Sequence, residues 1–206
     1  MLNLVHLHLE CKYHSNCDNY ATRFMTLMES LQTGLRALIL PANHSFVSVE
    51  LLSIAQYHGH SLRCLCIQDK IDWKVQYPDI DFAEQLNQMP HLHTLSMTHQ
   101  SLSTLPSPLT NPSLKHLYLN ASAHRCTVKD AVSGYCPSLS TLSLFLSVSD
   151  LFKSRIISDI VLLIELCPLI CKLCVNDDEV ITGLRKELPH VDVVKYTPID
   201  IFSTDY

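Results

Sequence analysis

Cys167, Cys171 and Cys174 stand at the Cys-x3-Cys-x2-Cys spacing that can hold an iron–sulfur cluster. Nearer the N-terminus, Cys11, His14 and Cys17, with His6 and His8 close by, spell Cys-x2-His-x2-Cys, a set of ligands that zinc accepts. Asp79, Asp81 and Glu84 form a small acidic cluster of the kind that binds a cation or divides acid and base roles. Each set fails on its surroundings. The chain lacks the length for a barrel, and the glycines for a cofactor, that would accompany such a cluster. A structural zinc needs four ligands, commonly as two separated pairs, and no second pair lies at a standard spacing. Cys11 to Cys17 therefore reads as a polar loop leading to the first helix, and Asp79 to Glu84 as a solvated linker and helix start. No Gly-x-Ser-x-Gly elbow exists, and no cysteine opens a helix beside a basic residue. The four glycines, Gly34, Gly59, Gly134 and Gly183, are too scattered to cradle a phosphate. Catalysis, a bound cofactor and a metal are all unexpected.

The composition fits a folded chain of another kind. Of 206 residues, 47% are hydrophobic and 17% charged, enough to bury a core and too apolar for disorder. The net charge is −5 with histidines neutral, and no basic stripe announces nucleic acid or an anionic membrane as partner. Nine cysteines cannot all pair within the chain, so reduced thiols in the cytoplasm or nucleus are expected. The opening Met1 to Glu10 alternates apolar with polar residues and has no positive start, unlike a signal peptide. Ile156 to Ile170, the most apolar stretch, is too short and too charged to span a bilayer.

What organises the chain is its leucines. An apolar residue, two variable ones, an apolar residue, one variable and another apolar residue recur throughout. The clearest copies follow a proline: Pro90 with Leu92, Leu95 and Met97; Pro112 with Leu114, Leu117 and Leu119; Pro137 with Leu139, Leu142 and Leu144. Pro168 with Ile170, Leu173 and Val175, and Pro189 with Val191, Val194 and Tyr196, continue the register. Upstream come Leu4/Leu7/Leu9, Leu35/Leu38/Leu40 and Leu62/Leu65/Ile67. The first apolar positions advance by 31, 27, 30, 22, 25, 31 and 21 residues. In this register Cys167 matches Cys136, Cys171 matches Ser140 and Cys174 matches Ser143, so the cysteine triplet is repeat furniture.

The intervening segments read as helices. Ala21, Phe24, Met28 and Leu31 lie on one helical face, as do Val47, Leu51, Ile54, Ala55 and His58, and Val128, Ala131, Val132 and Tyr135. Ile156, Ile157, Ile160, Val161 and Ile164 form a wider stripe, and Asp177-Asp178 can cap a helix carrying Val180, Ile181, Leu184 and Leu188. Gly34, Gly59 and Gly134 precede apolar triples, where left-handed helix ends are expected. Gln100 to Thr110, with Pro106 and Pro108, suits no helix.

Strand and helix alternating at this period predict one leucine-rich-repeat solenoid over 1–206. It has about eight irregular repeats, with strand cores near 4–9, 35–40, 62–67, 92–97, 114–119, 139–144, 170–175 and 191–196. The expected α/β horseshoe has parallel strands on the concave face and helices on the convex one. The Cys-Pro-x-Leu-x-x-Leu-x-Leu form at Cys136 to Leu144, with its irregular steps, resembles the repeats of F-box/leucine-rich-repeat proteins. The resemblance implies a repeat region that holds a protein substrate, while a separate F-box docks on Skp1 of a cullin (SCF) ubiquitin ligase. Here the chain opens directly on Leu4/Leu7/Leu9, without an F-box-like Leu-Pro-x-Glu segment, so Skp1 and the cullin are expected only through an F-box beyond it. A scaffold or inhibitor without a ligase link is the other reading.

The register also places residues on the concave face. Its expected protein-binding part comprises Thr94, Ser96, His116, Tyr118, Asn120, Thr141, Ser143, Phe145 and Lys172. His6, His8, Glu10, Ala37, Ile39, Cys64, Cys66, Gln68, Thr98, Cys174, Asn176, Lys195 and Thr197 extend the face. It is mixed and without a Lys/Arg row for phosphates. Tyr118 and Phe145 are expected as exposed aromatic anchors.

Overall fold

A strand of four or five residues buries little by itself, so each apolar motif needs the next beside it. The computed structural model describes residues 5–9, 20–31, 34–40, 48–67, 81–98, 107–122, 138–147 and 153–196. Its strands are β1 His6–His8, β2 Ala37–Leu40, β3 Cys64–Ile67, β4 Thr94–Thr98, β5 His116–Ser122, β6 Thr141–Ser147, β7 Lys172–Val175 and β8 Asp192–Lys195. They form an eight-stranded, all-parallel sheet in chain order, β1 to β8. Parallel neighbours require a crossover, and helices supply it. α1 (Tyr20–Ser30) joins β1 to β2, α2 (Ser48–His58) joins β2 to β3, and α3 (Phe82–Asn87) precedes β4. α4 (Lys153–Leu166) precedes β7, and α5 (Asp178–Glu187) precedes β8. Ser107 to Thr110, which carries Pro108, is not helical. The helix expected at Val128 to Tyr135 lies outside the described residues.

One motif position lines up across the sheet from Leu7 through Leu38, Leu65, Leu95, Leu117 and Leu142 to Leu173, each the partner of the next, and Val193 completes the ladder in the last unit. Two residues on, Met97, Leu119, Leu144 and Val175 make a second ladder. Strand side chains alternate faces, so both ladders point the same way and, apart from the half-buried Leu7, are buried with α-helical residues such as Phe24, Ile54, Leu86, Ile160 and Leu184. From Leu35 onward the first apolar residue of each motif is equally buried but lies before the strand: Leu62 donates its N–H to His58 at 2.9 Å, and Ile170 to Cys167 at 3.0 Å. The expected strand cores thus begin two residues late, at 37, 64, 94, 116, 141 and 172, while β5 and β6 run on to Ser122 and Ser147.

Between turn and strand stands one variable residue whose carbonyl accepts two N–H groups from the next unit. Arg36 accepts from Arg63 (2.8 Å) and Cys64 (3.0 Å), and Arg63 from His93 (2.9 Å) and Thr94 (3.0 Å). His93 accepts from Lys115 and His116 (both 2.9 Å), and Lys115 from Ser140 (2.9 Å) and Thr141 (3.0 Å). This column sets the register of the whole sheet.

The last unit departs from the motif register. Cys167 to Cys171 connects α4 to β7, whereas Leu188 to Val191, one residue fewer, connects α5 to β8. A slip of one residue turns every side chain to the other face. Val193 rather than Val194 pairs with Leu173, and Lys195 pairs with Val175. Lys195 does not join the second face, as expected from spacing, but reaches Asp178 of α5 at 2.8 Å (Nζ to Oδ2). Asp192 and Val194 hold the second-face positions instead; Thr197 lies outside the described residues.

Local devices close the turns. Asp177 caps α5, accepting from Glu179 and Val180 N–H at 3.0 Å, as the sequence predicts. Asn111 is buried and donates to the Leu86 and Met89 carbonyls at the end of α3, while Asn87 bonds Pro108 and Thr110. These side chains hold the helix-free connection. Neither Gly34 nor Gly59 is left-handed, contrary to expectation; both give room, since a methyl group would press into Ser61 or the Ala55 carbonyl. Gly134 lies outside the described residues. His58 is buried, its Nε2 donating to the Met28 carbonyl at 3.0 Å while Nδ1 accepts from Leu35 N–H at 3.4 Å. Burial lowers its pKa, beyond what the bond to Met28 restores, so the folded ring stays neutral where the unfolded one charges.

Val193→Ala is expected to cost about 1.5–3 kcal/mol in urea unfolding, and Val194→Ala less than about 1 kcal/mol. The opposite order would restore the motif register at β8. The His58 contribution is complete above about pH 6.5, the unfolded value, and is lost as pH falls through the lower folded value. Urea midpoints are therefore expected to drop between about pH 7 and pH 5, less steeply in His58→Asn. An unchanged slope in the variant would contradict the neutral buried ring.

Candidate protein-binding face

The second face of the sheet, opposite the leucine ladders, collects the variable strand positions. Thr94, His116, Thr141 and Lys172 are successive partners across β4 to β7, and so are Ser96, Tyr118, Ser143 and Cys174. Thr98, Asn120 and Phe145 make a third, shorter row. All nine residues expected at a binding surface are thus brought onto one face of four adjacent strands. Upstream, Cys64 and Cys66 of β3 are buried beside Thr94 and Ser96, while His6 and His8 of β1 are exposed. Glu10 and Gln68 lie outside the described residues.

The face is not uniformly accessible. Asn120, Phe145 and Lys172 are exposed, and Ser96, His116 and Thr141 are half-buried. Thr94, between Cys64 and His116, and Ser143, between Tyr118 and Cys174, are buried. Tyr118 corrects the expectation of two exposed aromatics: it is only 9% exposed, whereas Phe145 is 41% exposed. Phe145 meets Tyr196 edge to face, ring centres 6.1 Å apart, at the side of β7 and β8. Asn176, expected on this face, clasps the end of β6 instead, accepting from Leu146 N–H at 2.6 Å and donating to its carbonyl at 2.9 Å. The Ser143 hydroxyl, 2% exposed, has no hydrogen-bond partner among the described residues.

Charge gathers at the start of the strands. The variable residue before β2, β3, β4 and β5 is Arg36, Arg63, His93 and Lys115, a basic row that the motif spacing contains but that the strand positions alone do not reveal. His93 is lowered in pKa by burial first, then by Lys115, Arg63 and His91. His116 is lowered likewise by burial, then by Lys115, His93 and Lys172.

Among the described residues the other candidate chemistries are not assembled. Cys167 and Cys174 are half-buried and Cys171 is exposed; burial raises the Cys167 thiol, away from a reactive thiolate. Among the described residues no group of three His, Cys, Asp or Glu side chains is placed to hold a metal. Cys11, His14, Cys17 and Asp79 lie outside them. Asp81 caps α3, accepting from Glu84 N–H at 3.1 Å and from the Ser107 hydroxyl. Among the described residues no helix is long and apolar enough to cross a membrane. No family model and no curated sequence matches the chain.

A buried hydroxyl without a partner costs about 1–3 kcal/mol. Ser143→Ala is therefore expected to leave the thermal midpoint unchanged or raise it. A loss above about 1 kcal/mol would show that the hydroxyl is bonded in the folded protein.

Proposed function

We propose that this chain is a leucine-rich-repeat module that binds a protein on the concave face of a horseshoe, without catalysis. We place it as the substrate-recognition part of an F-box-type SCF ubiquitin-ligase subunit acting in the cytoplasm or nucleus. Skp1 and the cullin are engaged through an F-box rather than through the repeats. The observation that carries this reading is the parallel sheet in chain order, with the same motif position aligned from Leu7 to Leu173. Stacked units of this kind give a broad, mixed face suited to a protein partner. The Cys-Pro-x-Leu-x-x-Leu-x-Leu form at Cys136 to Leu144 supports the ligase assignment, and the odd count of nine cysteines supports the compartment.

Phe145 and Lys172 are exposed on neighbouring strands, so their truncation removes contact area without opening the core. Phe145→Ala with Lys172→Ala is expected to weaken partner capture at least about tenfold, with an unchanged melting temperature. Intact capture would move the interface to another surface, such as the exposed Leu162, Leu166 and Leu169 on the helical side. Partners lost in the double variant are then followed in cells. Their half-lives are expected to lengthen when the gene is deleted and when cullin neddylation is blocked. Half-lives that move in neither case would contradict the ligase link and leave a scaffold or inhibitor.

A further inference from the structure

Arg36, Arg63, His93 and Lys115 form a straight basic row, and its straightness is built into the backbone. Each residue's carbonyl accepts the N–H of the next, Arg36 from Arg63 at 2.8 Å, Arg63 from His93 at 2.9 Å and His93 from Lys115 at 2.9 Å. Adjacent parallel strands stand about 4.8 Å apart, so the row spans roughly 14 Å at fixed pitch. Arg36 and Lys115 are exposed, and Arg63 and His93 are half-buried. Nothing acidic answers them: among the described residues every ion pair involves Lys153 or Lys195. Every described carboxylate except Asp192 belongs to a helix or its N-cap, so none stands on β2 to β5. A chain of net charge −5 thus keeps four cationic or titratable positions together on one rim.

We propose that this rim is a docking edge for an extended acidic segment of a partner protein, whose carboxylates lie along Arg36, Arg63, His93 and Lys115. An extended peptide advances about 3.3 Å per residue, so about five residues cover the row, and its alternate side chains, about 6.6 Å apart, set three carboxylates along the four positions. The row is too short to neutralise many phosphates, and the negative chain repels a long polyanion, which disfavours nucleic acid. Protonation is coupled to binding. His93 faces Arg63 before β3, Lys115 before β5 and His91 in its own turn, all holding it neutral, with burial as the larger cause. His116 faces Lys115, His93 and Lys172 in the same sense. A carboxylate seated here favours the charged imidazole, so binding takes up protons and tightens as pH falls. The ligase assignment is not needed for this surface to act.

The test uses the full chain and a fluorescein-labelled peptide alternating Glu and Ser, read by anisotropy. The same peptide with Gln for Glu, and an oligothymidylate, serve as comparisons. The Glu peptide is expected to bind, to weaken with added salt, and to tighten at least about threefold from pH 7.5 to about pH 6. His93→Gln is expected to reduce that pH dependence. Arg36→Glu with Lys115→Glu, both at exposed side chains, is expected to weaken binding at least about tenfold with unchanged circular dichroism. Absence of Glu-peptide binding, equal binding of the Gln peptide, tighter binding of oligothymidylate, or an unaffected double variant would each overturn the proposal.

Discussion

Each unit is fastened to the next where its strand begins, one carbonyl accepting from two consecutive N–H groups. That contact is local in the sheet but crosses 22 to 30 residues of sequence from Arg36 to Arg63, His93 and Lys115. It fixes register, and register fixes everything that follows. With it, Leu117 sits between Leu95 and Leu142, and each leucine is covered by its neighbours and by the helices beneath. Without it, strands of four or five residues would bury too little to persist. The same contact lines up whatever stands at the variable positions, so a surface row and a core ladder have one origin.

The ladders from Leu38 to Leu173 were legible in the sequence because an inward strand residue repeats as a type: leucine, at the same distance from its motif partners. The cap at Asp177 was legible for a similar reason, since its carboxylate acts within three residues. Two features were not legible. The β8 slip depends on a connection one residue shorter than that before β7, a length set by where α5 ends. Leu188 fits both the helix cap and the motif position of Cys167, so the local pattern supports two registers. Gly34 and Gly59 serve close approach rather than a left-handed turn, and close approach is a property of Ser61 and Ala55 as much as of the glycines.

The candidate face was legible as a set of positions and not as a set of exposures. Alternation told which residues share a face: Ser96, Tyr118 and Ser143 do. It could not tell how much of Tyr118 is covered, because that depends on the sizes of neighbours on other strands. The basic row escaped for a different reason. Its members stand one residue before the strands, outside the alternation, and Arg36, Arg63, His93 and Lys115 are dispersed through a chain whose net charge is −5. Only stacking brings them together, and their mutual repulsion is tolerated because Arg36 and Lys115 are solvated.

Among the described residues the strands stack in chain order, each pairing only with the one before and the one after. Methyl-selective nuclear Overhauser spectroscopy on the leucine ladder measures this directly. The stack predicts contacts from Leu117 methyls to those of Leu95 and Leu142, and from Leu173 to Leu142 and Val193. It predicts none between Leu117 and Leu65 or Leu173, about two strand spacings away at roughly 10 Å. A contact from Leu117 to Leu65 or Leu173, or the absence of one to Leu95 or Leu142, would contradict the in-order sheet and every assignment built on it.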